Sequence, residues 1–225
     1  MNTYKNCING STKYIFVSGS IGVGKSTFIN EIVKRFEGQS VAVIHEYIDY
    51  DPQGNQKLNE FLEKLIPPME FQKYIIKCYL DQIIKNRYSD VMIFERHPME
   101  SLIFAKSSFE SNIEFELLKN YISNFCNRLG IPYQNENQIM DIWHTPDTDY
   151  DTIYKNIIKG TGVITCYLRV GLDMQFYRIA SRGRESDNIY LEEEDMTYLN
   201  KINSLYHALR DNDFNYDRIY QHRDK

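Results

Sequence analysis

The stretch GSIGVGKS, Gly19 to Ser26, lies between an apolar run, KYIFVSGS, and a segment with helical spacing of apolar residues, STFINEIVKRFEG. It matches the pattern G-x-x-x-x-G-K-[ST] over its full length. Glycines let such a backbone curl so that its N–H groups point at phosphate oxygens, and the N-terminus of the following helix adds its positive dipole end. Lys25 can reach the β- and γ-phosphates, and the Ser26 hydroxyl can ligate Mg²⁺. The sequence therefore predicts a phosphate loop that binds a nucleoside triphosphate.

An alternative interpretation is a glycine turn with an incidental lysine. The strand pattern before the stretch and the helix pattern after it disfavour this, because both are what a phosphate loop requires. We expect ATP to contact the whole loop, residues Gly19, Ser20, Ile21, Gly22, Val23, Gly24, Lys25, Ser26 and Thr27.

Short apolar runs alternate with helical patterns along the rest of the chain. Further strand candidates are SVAVIHEYI, VMIF (91–94) and GVITCYLRV (162–170), and further helix candidates are LNEFLEKLI up to Pro67-Pro68, MEFQKYIIKCYLDQIIKNRYSD, ESLIFAK with IEFELLKNYISNFCNRLG, LDMQFYRIASR and EEEDMTYLNKINSLYHALRD. This alternation predicts an α/β fold of the three-layer P-loop NTPase type, with a parallel sheet covered by helices on both faces. We find no repeat or linker, so a single domain over residues 1–225 is expected.

Composition excludes several classes of protein. The net charge of −5 argues against nucleic-acid binding, and no run approaches the 18 apolar residues of a membrane span. The start of the chain lacks the apolar core of a signal peptide, so we expect a cytoplasmic protein (host cytoplasm if viral). The four cysteines, Cys7, Cys78, Cys126 and Cys166, have no metal-binding spacing and are expected to be reduced thiols.

Charged residues follow two of the predicted strands. Glu46 ends the strand of HEYIDY, and Glu95 with Arg96 ends the strand of ERHP. Ligands of parallel sheets bind outside the carboxyl ends of the strands, so these residues and Gly19 are expected to share one site. A carboxylate facing the γ-phosphate can deprotonate or orient an acceptor hydroxyl. Taken alone, Glu46 would instead be a capping or surface carboxylate.

The segment RIASRGRESD contains three arginines in seven residues, Arg178, Arg182 and Arg184. Such a cluster can form a cationic lid, over about residues 178–195, that stabilises charge during phosphoryl transfer. A solvated basic helix end is the alternative.

One predicted helix carries an unusual polar residue in an apolar stripe. Gln72, Ile75 and Tyr79 share one helix face, which is ordinarily core, but a buried amide needs partners and a base edge offers them. Trp143 and His144 are interpreted as loop packing with no assigned chemistry.

Taken in order, GSIGVGKST, HEYI, FQKY, ERHP and RIASRGR resemble the motifs of the deoxynucleoside kinase family, which includes the herpesvirus thymidine kinases. The resemblance implies transfer of the γ-phosphoryl of ATP·Mg²⁺ to the 5′-hydroxyl of a deoxynucleoside. Homodimers are common in that family, so a homodimer is possible here.

The resemblance also implies roles for individual residues. Glu46 is the general base, Arg96 lies near the 5′-hydroxyl and the transferring phosphate, and Lys25 completes the catalytic set. Ser26 and Glu95 are the metal-side residues. The substrate contacts are Gln72, Ile75, Tyr79, Arg96 and Asp187, of which Gln72 pairs with the nucleobase and Asp187 holds the 3′-hydroxyl. Arg178, Arg182 and Arg184 correspond to the lid arginines.

The implied base preference rests on two positions. Cellular deoxycytidine and deoxyguanosine enzymes typically carry an Arg and an Asp where this chain has Tyr79 and Ser101 (or Glu100), which favours thymidine or another pyrimidine. Two alternatives stay open. A nucleoside monophosphate kinase such as a thymidylate kinase needs extra cations near the second strand, where HEYIDYDP is acidic. A non-catalytic nucleotide-binding scaffold would not be expected to keep Lys25, Glu46 and Arg96.

Overall fold

A computed structural model describes residues 12–108, 112–134, 138–183 and 197–216. Within these ranges five strands form one parallel sheet in the order β2-β3-β1-β5-β4. The strands are β1 (Lys13–Ser18), β2 (Val41–Ile44), β3 (Val91–Glu95), β4 (Gln138–Trp143) and β5 (Val163–Arg169). The parallel α/β architecture is the one the sequence predicts.

Helices cover both faces of the sheet. They are α1 (Lys25–Val33), α2 (Tyr47–Tyr50), α3 (Gly54–Leu62), α4 (Pro68–Lys85), α5 (Ser101–Ser108), α6 (Asn112–Leu129), α7 (Tyr150–Lys159), α8 (Leu172–Arg182) and α9 (Thr197–Asp211), with a 3₁₀ turn at Pro98–Glu100. None of the helices in the described ranges is both long and apolar enough to cross a membrane.

The alternation of side chains along β1 divides the core into two layers. Tyr14 and Phe16 join a cluster with residues of α4, α5, α6 and α9, whereas Ile15 and Val17 join a second cluster with residues of α1 and α7. Because β1 is central and buried on both faces, the loop that follows it leaves a rigid strand. The three described cysteines, Cys78, Cys126 and Cys166, are buried and free, and Cys7 lies outside the described residues.

The structure departs from the sequence analysis at three places. The stretch QIMDIW is an edge strand, β4, so Trp143, interpreted above as part of a loop, ends a strand. It pairs with β5 from Gln138↔Ile164 to Trp143↔Arg169, and Ile142 alone of its six residues is buried. Helix α7 was not anticipated. The helix LNEFLEKLI ends at Leu62, short of Pro67, and Lys64 adopts φ 59° just beyond it.

Candidate active site

The phosphate loop connects β1 to α1, and its glycines adopt conformations that other residues avoid. Gly22 has φ 76° and Gly24 has φ 91°. A Cβ on Gly24 would lie 2.7 Å from the His144 ring and 2.9 Å from Nη1 of Arg178. The motif glycines are therefore required both by backbone angle and by close packing.

Three side chains, one of them from the loop itself, hold carbonyls of this loop. Arg96 Nη1 donates to the Gly19 carbonyl (2.6 Å), Lys25 Nζ donates to that of Ser20 (3.1 Å), and Gln175 Nε2 donates to that of Ile21. In a planar trans peptide the carbonyl and the next N–H point in opposite directions. Anchoring a carbonyl therefore also fixes the direction of the N–H group that follows it. We call the loop and these anchoring side chains the loop wall.

Lys25 is buried at the start of α1. Its ammonium lies 3.7 Å from Oε1 of Glu46. Burial, and then the charge of Arg96, lower the pKa of Lys25 to about 8, against the opposing effect of Glu46 and Glu95. A polyphosphate bound in the loop would supply the negative charge that this amine lacks.

Ser26 and Glu95 form a pair of oxygen ligands beside the loop. Ser26 Oγ donates to Oε1 of Glu95 at 2.7 Å, and Oε2 of Glu95 is buried without a hydrogen-bond partner among the described residues. Although burial acts to raise the pKa of Glu95, His45, Lys25 and Ser26 hold it below its usual range. A hydroxyl and an ionised carboxylate, whose Oε2 lies 3.8 Å from Nδ1 of His45, fit a hard cation such as Mg²⁺. The part of the chain described here contains no cluster of three or more His, Cys, Asp or Glu side chains that could hold a metal alone.

Arg96 is the most constrained side chain of the site. It has φ 70°, a backbone conformation that is uncommon outside glycine and clusters at functional sites. Its buried guanidinium donates to Glu46, to the Gly19 carbonyl and to the Tyr206 hydroxyl. The guanidinium carbon also lies 5.1 Å from the ring centre of Phe104 and 5.3 Å from that of Tyr206. Hydrogen bonds and two aromatic rings together fix its position.

A buried network supports Arg96 from behind. Tyr206 donates to Oε2 of Glu100 at 2.9 Å, and Oε1 of Glu100 accepts from Gln134 (2.9 Å) and from the His97 backbone N–H (3.0 Å). Burial raises the pKa of Glu100 against the opposing charge of Arg96. Sequence reasoning missed Tyr206, which is 110 residues from Arg96 and carries no local signal. The sequence analysis left Ser101 and Glu100 as two alternatives for the position where cellular enzymes typically carry an Asp. Ser101 lines the cavity, whereas Glu100 is fully buried behind Arg96.

The opposite side of the cavity is formed by the stripe Gln72, Ile75 and Tyr79 of α4, which we call the α4 wall. Gln72 is 3% exposed, and its Oε1 has no hydrogen-bond partner within the described ranges. The Tyr79 hydroxyl donates to the carbonyls of Glu95 (3.2 Å) and Arg96 (3.4 Å). The α4 wall therefore contributes apolar surface, an aromatic ring and the Gln72 amide, whose oxygen is buried without a partner among the described residues.

A single cavity of about 1380 Å³ joins the two walls. Of the predicted site residues, it is lined by Ile21, Gly22, Gly24, Lys25, Ser26, Thr27, Glu46, Gln72, Ile75, Tyr79, Glu95, Arg96, Arg178 and Arg182. Gly19, Ser20 and Val23 are also predicted site residues of the loop, but they are not among the residues that line the cavity. The charged residues at the separate strand ends, Glu46, Glu95 and Arg96, therefore lie together beside the phosphate loop.

The arginines of α8 differ in their contacts. Arg178 donates through Nη1 to the Val23 carbonyl (2.8 Å), and partial burial lowers its pKa. Arg182 is exposed at the end of α8 and lines the cavity. Arg184 and Asp187 lie outside the described residues, so their predicted roles stay predictions.

His144 is a second residue that sequence reasoning missed, because we interpreted Trp143 and His144 as loop packing. Trp143 ends β4, and its exposed ring lies under Arg169. His144 is 3% exposed and lines the cavity, with Nδ1 2.8 Å from the Val23 carbonyl and Nε2 2.8 Å from the Tyr150 hydroxyl. The contact joins residues 121 positions apart, so no sequence window could have found it.

Comparisons with known proteins identify the fold and the family. The fold resembles that of deoxyadenosine kinase from M. mycoides, solved with bound dATP. The TM-score is 0.55 at 21% sequence identity, and the match covers 91% of this chain and 87% of that one. No curated protein sequence matches the chain. A model of the deoxynucleoside kinase family matches residues 15–135, just over half of the chain. The chain therefore belongs to the deoxynucleoside kinase family.

Proposed function

We propose that the chain transfers the γ-phosphoryl group of ATP to the 5′-hydroxyl of a deoxynucleoside, with thymidine or another pyrimidine deoxynucleoside as the favoured acceptor. The observation that carries the proposal is the position of Glu46. Its carboxylate lies 3.7 Å from the Lys25 ammonium, accepts a hydrogen bond from Arg96, and lines the cavity that also contains Gln72. A carboxylate between a phosphate-binding lysine and a wall with an unpaired amide suits a base acting on an acceptor hydroxyl.

In the donor half of the reaction, the loop wall binds the triphosphate through backbone N–H groups and Lys25. Arg178 and Arg182 face the same cavity and add positive charge where negative charge grows in the transition state. Ser26 and Glu95 would hold Mg²⁺, which when bound screens the phosphate charge. The dATP bound to the M. mycoides enzyme supports a nucleotide as the ligand of this fold.

In the acceptor half, the nucleobase lies against the α4 wall, and the 5′-hydroxyl of the deoxyribose is directed at Glu46. The hydroxyl oxygen attacks the γ-phosphorus, its proton passes to Glu46, and the bond to the bridging oxygen of ADP breaks. Arg96 holds Glu46 in place and supplies positive charge to the transferring group. Its immobilised guanidinium needs no reorganisation as the charge develops.

The proposed base preference rests on the absence of charge at two positions, Tyr79 in the α4 wall and Ser101 at the start of α5. Tyr79 and Ser101 bring no formal charge to the base, and the Tyr79 hydroxyl is occupied by the Glu95 and Arg96 carbonyls. The Gln72 amide offers one donor and one acceptor, which match the N3–H and O4 groups of thymine. The same amide can pair with adenine, and the similarity to a deoxyadenosine kinase makes deoxyadenosine the second candidate.

A monophosphate acceptor is disfavoured by charge. Glu46 and Asp49 both line the cavity at the end of β2, where an acceptor phosphate would meet repulsion.

The proposal is tested by supplying purified protein, Mg²⁺ and ATP with thymidine, deoxycytidine, deoxyadenosine, deoxyguanosine or thymidine monophosphate in separate assays. ADP release is measured, and the product is identified by chromatography. We expect a 5′-monophosphate, formed fastest from thymidine. If deoxyadenosine is phosphorylated fastest, the proposed kinase activity stands, but the favoured acceptor is deoxyadenosine and not thymidine. Turnover of thymidine monophosphate alone, or of none of the five, would overturn the proposal.

A further inference from the structure

The contact between the β4–α7 segment and the phosphate loop has no role in the function proposed above. His144 directly follows the edge strand β4, and Tyr150 opens α7. Both side chains line the cavity on the side of the loop wall. The ring of His144 also meets the Phe28 ring edge-on at a centroid distance of 6.0 Å, so it packs between α1 and the loop.

The hydrogen bonds assign the tautomer of His144. A backbone carbonyl only accepts, so Nδ1, 2.8 Å from the Val23 oxygen, carries the hydrogen. Nε2 is then an acceptor for the Tyr150 hydroxyl at 2.8 Å. Burial lowers the pKa of His144, in keeping with a neutral ring that has one donor and one acceptor. Tyr150 therefore fixes His144 in the form that donates to the loop.

The Val23 carbonyl receives a second hydrogen bond. Arg178 Nη1 donates to it at 2.8 Å, and Arg178 Nη2 lies 3.4 Å from the His144 carbonyl oxygen. Two donors from separate elements thus hold one peptide group. The next residue is Gly24, at φ 91°, and rotation of a peptide group beside glycine meets little steric resistance. The Val23–Gly24 peptide is therefore a point of the loop that external hydrogen bonds can restrain.

We propose that His144, held in its tautomer by Tyr150, is a positioning residue that orients the Gly24 N–H toward the bound phosphates by anchoring the Val23 carbonyl. The proposal rests on the proposed function, because it requires the loop to bind a nucleoside polyphosphate. The physical link is the planar trans peptide: with the Val23 oxygen directed at His144 and Arg178, the Gly24 N–H points the opposite way. Sequence reasoning gave this segment no chemistry, and the fold places it against the loop.

The test compares two substitutions at position 144. His144→Phe keeps the ring volume and removes the donor, whereas His144→Asn keeps an N–H donor close to the position of Nδ1. Binding of ADP with Mg²⁺ and of thymidine is measured separately by calorimetry, together with the melting temperature of each variant. We expect His144→Phe to weaken ADP binding about tenfold and to leave thymidine binding within about twofold of wild type. His144→Asn is expected to recover most of the ADP affinity.

Equal ADP affinity in His144→Phe and wild type would overturn the inference. An equal loss of both ligands with a lowered melting temperature would also overturn it, because a merely structural residue affects the whole site. Should His144→Phe fail to fold, Tyr150→Phe serves, with Tyr154→Phe on the same helix as the matched control. We expect Tyr150→Phe to weaken ADP binding about two- to fivefold and the control to leave it unchanged; no difference between them would overturn the inference.

The wild-type titration separates this inference from the proposed function. ADP binding without thymidine phosphorylation would defeat the proposed acceptor reaction and leave the His144 comparison intact. Absence of ADP binding to the wild type would overturn both.

Discussion

The two walls of the cavity are held in different ways. In the loop wall, the protein's own side chains occupy four loop carbonyls, those of Gly19, Ser20, Ile21 and Val23. In the α4 wall, by contrast, the Gln72 oxygen is buried with no partner among the described residues. The loop wall is therefore prepared for a ligand of fixed geometry such as a polyphosphate, whereas the α4 wall leaves one polar group for the ligand to satisfy. Glu46 and Arg96 lie where the walls meet.

The largest effect is expected at this junction. Glu46→Gln keeps the shape of the side chain and removes the base, so we expect kcat to fall about 10²- to 10⁴-fold. ADP affinity should stay close to wild type, because the loop wall is unchanged. Steady-state kinetics and ADP titration check both values, with Glu70→Gln on the exposed face of α4 as the control. Wild-type turnover in Glu46→Gln would show that Glu46 is not the general base.

Substitution in the α4 wall is expected to affect only the acceptor. Gln72→Leu leaves the base edge unpaired, which should lower kcat/KM for the nucleoside about 10- to 100-fold, with the KM for ATP unchanged. The free energy of unfolding should not fall, because the variant removes a buried amide without a full set of partners. Gln56→Leu, at an exposed position of α3, is the control. An equal loss on the ATP side would contradict the division between the walls.

Much of the division of the cavity into a loop wall and an α4 wall could be predicted from the sequence, because it rests on local motifs. The loop, the stripe on α4 and the acids after β2 and β3 each occupy a few consecutive residues or one helical face. Helix α7 could also have been found, since Tyr150, Ile153, Tyr154 and Ile157 follow helical spacing after the N-cap Asp149.

Other features depend on pairing across the chain. Strand β4 is an edge strand whose one buried residue is Ile142, and Asp141 interrupts its apolar residues, so it lacks the continuous apolar run of the central strands. The contacts of His144 with the loop and of Tyr206 with Arg96 exist only because distant segments fold together. Such contacts are determined by tertiary packing, so they cannot be predicted from the local secondary-structure propensity of either segment.

A pH titration probes the loop wall alone. Burial lowers the pKa of Lys25 to about 8, and a bound polyphosphate favours the protonated amine. ADP affinity should therefore be nearly constant below about pH 7 and fall about tenfold between about pH 7 and pH 9. Thymidine affinity should not follow this profile.

The stability of the free protein should change in the opposite direction. Above about pH 8 the unfolded chain keeps a proton on Lys25 that the folded protein has lost, so the contribution of this residue to the free energy of unfolding rises with pH until about 10.5. Lys25→Arg, which stays charged, should abolish both dependences. A wild-type ADP affinity independent of pH over this window would show that Lys25 is not the phosphate ligand.

The smallest effect is expected behind the junction. Tyr206→Phe keeps the ring against Arg96 and removes the hydroxyl that links Arg96 to Glu100. Arg96 retains Glu46 and the Gly19 carbonyl, so kcat should fall only about two- to tenfold, with both KM values unchanged. Tyr88→Phe, at an exposed tyrosine, is the control. A change in KM with constant kcat would show that Tyr206 acts on substrate binding and not through Arg96.

The central claim is that the two walls bring a donor phosphate and a nucleoside hydroxyl together at Glu46. Its most direct test is to follow ATP radiolabelled at the γ-phosphate in the presence of Mg²⁺ and thymidine. The account predicts that the label moves to thymidine 5′-monophosphate and that Glu46→Gln, which still binds ADP, does not carry out this transfer. Label released only as inorganic phosphate, at a rate that thymidine does not change, would contradict it.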